Sequence, residues 1–387
     1  MTGRDRAAGH VVIASDKFKG SLTAAEVAAH VAAGLGPRLR TVAVPVADGG
    51  DGTVDAVVSR GFTRVRVEVP GPTGEPVTAA YAWRDAAPDG DGPVAVIELA
   101  EASGLRRLPA GPAPLTASSH GTGALIGHAL RRGARRIVLG LGGSACTDGG
   151  AGMLQALGVR LLDGAGRDLP PGGAALRRLA RIDVSGLRAG AEVVVASDVD
   201  NPLLGPHGAA AVYGPQKGAS PADVAVLEAG LRRFAEVAAA AVGEGEPIPY
   251  AERPGAGAAG GVGFAAMAFL GARIEPGIRH LLGVLGFDAL LDGARLVITG
   301  EGSLDEQTLR GKAPAGVAEA AGRRGVPVIA VCGRRTLSDD RLRAAGIRAA
   351  YALTDLEPDP EVCIARAGPL LERLAARIAA TEPELRG

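Results

Sequence analysis

Aromatic residues are scarce in this chain of 387 residues: six Phe, four Tyr and one Trp, 3% in all. A core so poor in rings has to be filled by Val, Leu, Ile and Ala. Cysteine is rarer still. Cys146, Cys332 and Cys363 lie far apart with no CxxC pair, which argues against a disulfide framework and suits reduced thiols in a cytosol. Neither charge sign is in excess, because Lys+Arg and Asp+Glu number 42 each. That balance removes the electrostatic footprint expected of a nucleic-acid or anionic-membrane partner. No apolar run reaches the roughly 18 residues of a membrane helix. The N-terminal MTGRDRAAGH is polar and leads into a strand, so it does not read as a signal peptide. The six histidines form no HxxxH or HExxH pair, which leaves no zinc signature. What remains is a soluble cytoplasmic protein, long enough for two domains.

Glycine is the abundant residue, at 59. The glycines fall between periodic apolar segments, which points to tight strand-to-helix turns rather than disorder. Short Val/Ile/Leu runs at Val11–Ser15, Val42–Val46, Val94–Leu99, Ile137–Leu141, Val193–Ser197, Leu296–Thr299 and Val326–Val331 read as strands buried on both faces. Ala/Leu-rich helical stretches follow them; the first helix starts at about Thr23, a suitable N-cap. Strands alternating with helices predict an α/β fold with mainly parallel sheets. One stretch differs: Arg64–Val69 and Pro76–Tyr81 alternate around PGPTGE, the pattern of an antiparallel hairpin. The segment 164–190 reads as a connection with one short helix. The simplest βα rhythm lies at the two ends of the chain. We therefore expect a Rossmann-like domain from 1–75 plus 285–387, with 76–284 inserted as a second α/β domain.

In open parallel sheets, ligands bind beyond the carboxyl ends of the strands. The chemically capable residues of this chain gather in the turns that follow strands. Asp16-Lys17-Phe18-Lys19-Gly20-Ser21 places two lysines beside a helix N-terminus, suiting a carboxylate or phosphate, though a solvated loop would read the same. Gly142-Gly143-Ser144-Ala145-Cys146-Thr147-Asp148 could bring backbone N–H groups to an anion, with a following helix dipole adding attraction. It is not a Walker A loop, since GxxxxGK[ST] is absent. Ser197-Asp198-Val199-Asp200-Asn201-Pro202 offers two carboxylates and an amide. They could bind Mg²⁺, orient or deprotonate a hydroxyl, or simply form an Asx-turn. Gly300-Glu301-Gly302-Ser303-Leu304-Asp305, with Lys312 a helical stretch later, is a further turn able to neutralise a transferring phosphoryl group and its metal. The literal G-x-G-x-x-G at Gly255, Gly257 and Gly260 follows Arg253-Pro254 rather than a strand. We expect it to serve tight packing or a cleft wall, not a dinucleotide.

Read in order, these turns resemble the bacterial glycerate kinase family of the glyoxylate/glucarate-catabolism type, the glycerate 2-kinases. The resemblance rests on DKFKGS at 16–21, PVADGGDGT at 45–53, GLGGSACTDGGAGM at 140–153, SDVDNPLLGP at 197–206, YGPQKGA at 213–219, PGAGAAGGVG at 254–263 and TGEGSLDEQTLRGKAP at 299–314. Lys17 stands where many relatives have serine, Ala124 where many have glutamate and Ser303 where many have arginine. The resemblance implies two unlike α/β domains, one inserted in the other, with the active site in the cleft between them. It implies Mg²⁺-dependent transfer of a phosphoryl group from ATP to D-glycerate, giving 2-phosphoglycerate, with 3-phosphoglycerate as the second choice. On that reading Asp198 positions and deprotonates the glycerate hydroxyl. Lys17, Lys19 and Lys312 neutralise carboxylate and phosphates, and Glu301 and Asp305 hold Mg²⁺, directly or through water. Gly142, Gly143, Ser144 and Asp148 form an anion loop, and Asp16, Asn201 and Ser303 complete the substrate- and phosphate-binding set. The protein would be a monomer or homodimer. The competing readings are a nicotinamide-dependent dehydrogenase of a small hydroxy acid and a non-catalytic small-acid binding protein.

Overall fold

A computed structural model describes residues 9–86, 92–242 and 248–385. The reading of residues 1–8 as a polar leader-free start lies outside the described residues. The chain forms two compact units: the first is Met1–Asp48, Asp55–Arg60 and Pro276–Gly387, the second Gly49–Val54 and Gly61–Glu275. The boundary expected at 75/76 would fall inside the predicted hairpin. The chain instead divides at 60/61 and 275/276, because the hairpin's ladder keeps both of its strands in one unit.

Thirteen strands lie among the described residues: β1 (His10–Ser15), β2 (Thr41–Ala43), β3 (Thr63–Pro70), β4 (Pro76–Arg84), β5 (Val94–Glu98), β6 (Arg136–Gly140), β7 (Arg160–Asp163), β8 (Leu179–Asp183), β9 (Glu192–Ala196), β10 (Arg273–Glu275), β11 (Ala294–Leu304), β12 (Val328–Arg335) and β13 (Ala349–Ala352). The first unit holds a five-stranded sheet in the order β13-β12-β11-β1-β2, parallel throughout. Its strands are the apolar runs read from sequence, and Val11, Ile13, Leu296, Ile298, Ile329 and Val331 pack into one core. The helix Ala24–Leu35 starts at Thr23, whose hydroxyl accepts from Glu26 N while the Glu26 carboxylate accepts from Thr23 N. This reciprocal cap satisfies donors that a helix start leaves open. The second strand is shorter than Val42–Val46 suggests, although Val44 N and Val46 N still donate to Ile13 O and Ser15 O.

The second unit holds a six-stranded sheet in the order β10-β9-β6-β5-β4-β3. Its β3–β4 hairpin is antiparallel, with Pro70 opposite Pro76, and β4 pairs antiparallel with β5. The rest is parallel. The scarce rings concentrate here: Tyr81 and Trp83 are buried, and Phe234 packs edge-on to Phe264 at 5.6 Å and stacks on Phe269 at 6.2 Å. The segment 164–190 is not only a connection. Leu179–Asp183 pairs antiparallel with β7, because Leu179 and Ile182 have an apolar core to enter. No helix among the described residues is long and apolar enough to cross a membrane.

Candidate active site

Seven of the predicted site residues (Asp16, Lys17, Lys19, Glu301, Ser303, Asp305, Lys312) belong to the first unit and six (Gly142, Gly143, Ser144, Asp148, Asp198, Asn201) to the second.

In the first unit the chain leaves β1 toward β2 on one side, while β11, β12 and β13 build outward on the other. Strand order therefore reverses between β1 and β11, the kind of place where open α/β sheets bind ligands. Ser15 and Gly300 are register partners there, and Asp16 N donates to Gly300 O at 2.9 Å. Beyond this pair the strands part. The segment 300–304, expected as a turn, is instead the end of β11, because Glu301, Ser303 and Leu304 pair with Cys332, Arg334 and Arg335 of β12.

Acidic and basic groups gather at this reversal. Glu301 is 8% exposed. It accepts from the Thr308 hydroxyl at 2.5 Å and faces Lys312 Nζ at 3.4 Å. Burial raises its pKa, while Thr308 and Lys312 pull the other way. Burial, then the charge of Asp48, pushes Asp16 up to about 7 against the Lys17 N–H that its carboxylate accepts at 2.6 Å. Lys19 is exposed. Ser303 Oγ accepts from Arg334 Nε at 3.2 Å.

Glu301 and Asp305, the candidates for holding Mg²⁺, accept hydrogen bonds from within the chain. Both Glu301 oxygens face donors, and one Asp305 oxygen accepts from Gln307 N at 2.9 Å. No group of three His, Cys, Asp or Glu side chains able to hold a metal occurs among the described residues.

In the second unit the 142–150 loop follows β6. Gly142 is there for packing: a Cβ would lie 2.5 Å from Gly50 Cα. Gly143 is exposed and left-handed (φ 72°), the conformation that favours glycine. Asp148 is fully buried and organises the loop rather than facing outward. It accepts from Ser119 N (2.8 Å), Ser119 Oγ (2.9 Å), Gly150 N (3.1 Å) and Gly152 N (3.1 Å). Met153 N donates to Ser119 Oγ at 2.9 Å. The N–H groups that open the following helix, Ala151–Ala156, are thus engaged internally by Asp148 and Ser119. Asn201 likewise frames its own loop, donating to His207 O (2.8 Å) and accepting from Tyr213 Oη (2.5 Å). Asp198 follows β9 and is exposed.

The literal dinucleotide fingerprint is packing. A short helix, Ile248–Glu252, rather than a strand lies before it. A Cβ at Gly257 would meet Pro202 O at 2.3 Å, and one at Gly260 would meet Cys146 O at 2.2 Å.

Glu98 and Lys217 are buried charged residues that the sequence reading did not single out. Glu98 ends β5, and its carboxylate accepts from Gly52 N (3.2 Å) and Val54 N. Burial pushes it up to about 7 against those two hydrogen bonds. A lone glutamate closing the apolar run VAVIE was its signal. Lys217, in the 3-10 turn Pro215–Lys217, donates to Ser144 Oγ at 2.9 Å and Cys146 O at 2.6 Å. Its signal was a lysine between glycines.

Parallel α/β sheets with acidic and basic side chains at a strand-order reversal suit a phosphotransfer class of site. Comparison with known proteins makes this specific. The chain belongs to the Glycerate kinase family, whose profile matches residues 11–382, and is a kinase. It is 44% identical to the glycerate kinase of Bacillus subtilis (strain 168) over 96% of this chain and 97% of that one. It is 45% identical to the glycerate 2-kinase of Escherichia coli (strain K12), covering 85% of this chain and 86% of that one. A crystal structure from Salmonella typhimurium LT2, assigned as glycerate kinase 2, superposes with a TM-score of 0.81 at 42% identity. It covers 97% of this chain and 98% of the other.

Proposed function

We propose that this kinase transfers the γ-phosphoryl group of ATP to D-glycerate and forms 2-phosphoglycerate. The observation that carries the reading is the family match along residues 11–382. The choice of the 2-position leans on the resemblance to the Escherichia coli glycerate 2-kinase. The two compact units serve as its two domains. The reaction belongs in the cytosol, where ATP is abundant, and the three free, buried cysteines suit that compartment.

Phosphoryl transfer passes through a loose transition state, so positioning and charge neutralisation matter more than a strong base. Asp198 takes the role of orienting the attacking hydroxyl and accepting its proton; its exposure beyond β9 supports this. Lys17, Lys19 and Lys312 neutralise the substrate carboxylate and the phosphates. Glu301 and Asp305 would hold Mg²⁺, directly or through water, and the ion would neutralise charge on the transferring phosphoryl group.

Incubation with MgATP and D-glycerate, followed by phosphorus NMR of the product, tests the proposal. The expected resonance is that of 2-phosphoglycerate. A signal for 3-phosphoglycerate alone would overturn the regiochemistry, and no ATP consumption would overturn the substrate.

A further inference from the structure

Lys217 is a buried ammonium, 2% exposed, whose hydrogen bonds go to neutral oxygens. Its two acceptors, Ser144 Oγ and Cys146 O, lie on either side of Ala145, so the loop wraps around the charge. Burial lowers its pKa, and the nearby charge of Asp148 opposes that shift. An ammonium can only donate, and a serine hydroxyl has one hydrogen and two acceptor sites. Lys217 therefore occupies an acceptor site of Ser144 and leaves the hydroxyl hydrogen for another partner. Among the described residues that hydrogen has no acceptor, and neither do the backbone N–H groups of Gly143 and Ser144. Three donors on consecutive residues, backed by a buried positive charge, match an anionic oxygen.

We propose that Lys217 is a positioning residue for the phosphoryl transfer: it fixes the Ser144 hydroxyl as a donor to a carboxylate or phosphate oxygen resting on the Gly143–Ser144 backbone. The inference rests on the kinase reading above, in which this loop takes an anionic group of ATP or of glycerate. Asp148 then acts behind the loop, holding it through Ser119 and the backbone at 150–152.

Steady-state kinetics with each substrate varied in turn test the proposal. Lys217→Met and Ser144→Ala should raise KM for the same single substrate roughly 10- to 100-fold, the scale of a hydrogen bond to a charged group. KM for the other substrate should stay within about 3-fold, since uniform binding to it is untouched. A moved KM for ATP identifies a phosphate on the loop, and a moved KM for D-glycerate identifies its carboxylate. The double variant should be little worse than Lys217→Met, because both changes remove one contact. A purely structural lysine would lower Tm and leave both KM values alone, and that result in folded Lys217→Met overturns the inference while a Ser144→Ala effect keeps the loop reading intact. Unchanged KM values in Ser144→Ala would instead sink the loop reading itself. If Lys217→Met does not fold, Lys217→Gln removes the charge while retaining a donor. If neither folds, Ser144→Thr decides: it keeps the hydroxyl hydrogen and should restore the KM lost in Ser144→Ala, whereas equal KM values for Ala and Thr overturn the donor role.

Discussion

The two units handle acidic and glycine-rich turns in opposite ways. In the first unit the strand order reverses between β1 and β11, and the charged groups there meet one another across the parting strands. Glu301 is held by a hydroxyl and a lysine, and Asp16 is raised by burial and by its acidic neighbours. In the second unit the strand order runs from β3 to β10 without reversal, so no such gap opens in that sheet. Its loops fill one another instead. Asp148 is saturated by Ser119 and backbone N–H groups, Asn201 by His207 and Tyr213, and Gly142 lies against Gly50. A carboxylate whose lone pairs are met from within fixes a loop. One at a topological gap remains available for chemistry.

Asp198 would bring the second unit into the chemistry, and it gives the largest expected effect. Asp198→Asn keeps size and removes the proton acceptor, so kcat should fall roughly 10²- to 10⁴-fold with little change in ATP affinity. A folded variant with near wild-type kcat would refute its catalytic role. Next, Lys312→Met should lower kcat/KM roughly 10²- to 10³-fold, the scale of losing one preorganised charge in the transition state. Its Tm should fall only modestly, because the buried Glu301 keeps the Thr308 hydroxyl as a partner and can take up a proton. Asp148→Asn should do the reverse. Its amide would point hydrogens at backbone N–H groups, costing roughly 3 kcal/mol of stability in urea denaturation, while KM values in the folded fraction stay close to wild type. If Lys312→Met unfolds the protein and Asp148→Asn only slows it, the contrast between the units is wrong.

The smallest effect concerns pH. Asp16 in the first unit and Glu98 in the second are both pushed up to about 7, from about 4 in an unfolded chain. Between those values the folded chain holds protons that the unfolded chain has released, so stability falls as pH rises from about 4 to 7 and then levels off. Glu98→Gln should flatten that slope by roughly one proton between pH 5 and 7, measured as unfolding free energy at several pH values. An unchanged slope would mean that the buried Glu98 titrates at its ordinary value.

How much of this was legible beforehand differs by residue. The apolar runs of both sheets, the β3–β4 hairpin and the Thr23 cap read directly from the chain, since period, turn residues and caps are local properties. The extension of β11 through Leu304 did not, because Gly300-Glu301-Gly302 reads as a turn until Cys332–Arg335 supplies a partner strand. Nor did the pairing of Leu179–Asp183 with β7, which depends on a core that the sequence around it does not reveal.

The sequence by itself determined the α/β class, the strand-end placement of Asp16 and Asp198, and the family, through motifs whose order is a property of the chain. Only the tertiary structure decided which of those turns are internally satisfied. Asp148 and Asp16 are both aspartates beside glycine- or lysine-rich turns after a buried strand, and nothing local separates them. One meets Ser119 from a distant segment, and the other meets Asp48 and Glu301. Lys217 is the sharpest instance. A lysine between glycines reads as solvated surface until folding encloses its ammonium and turns Ser144 Oγ and Cys146 O toward it. Hydrogen-bond satisfaction and burial are set by groups far apart in sequence, which is why composition and spacing could not supply them.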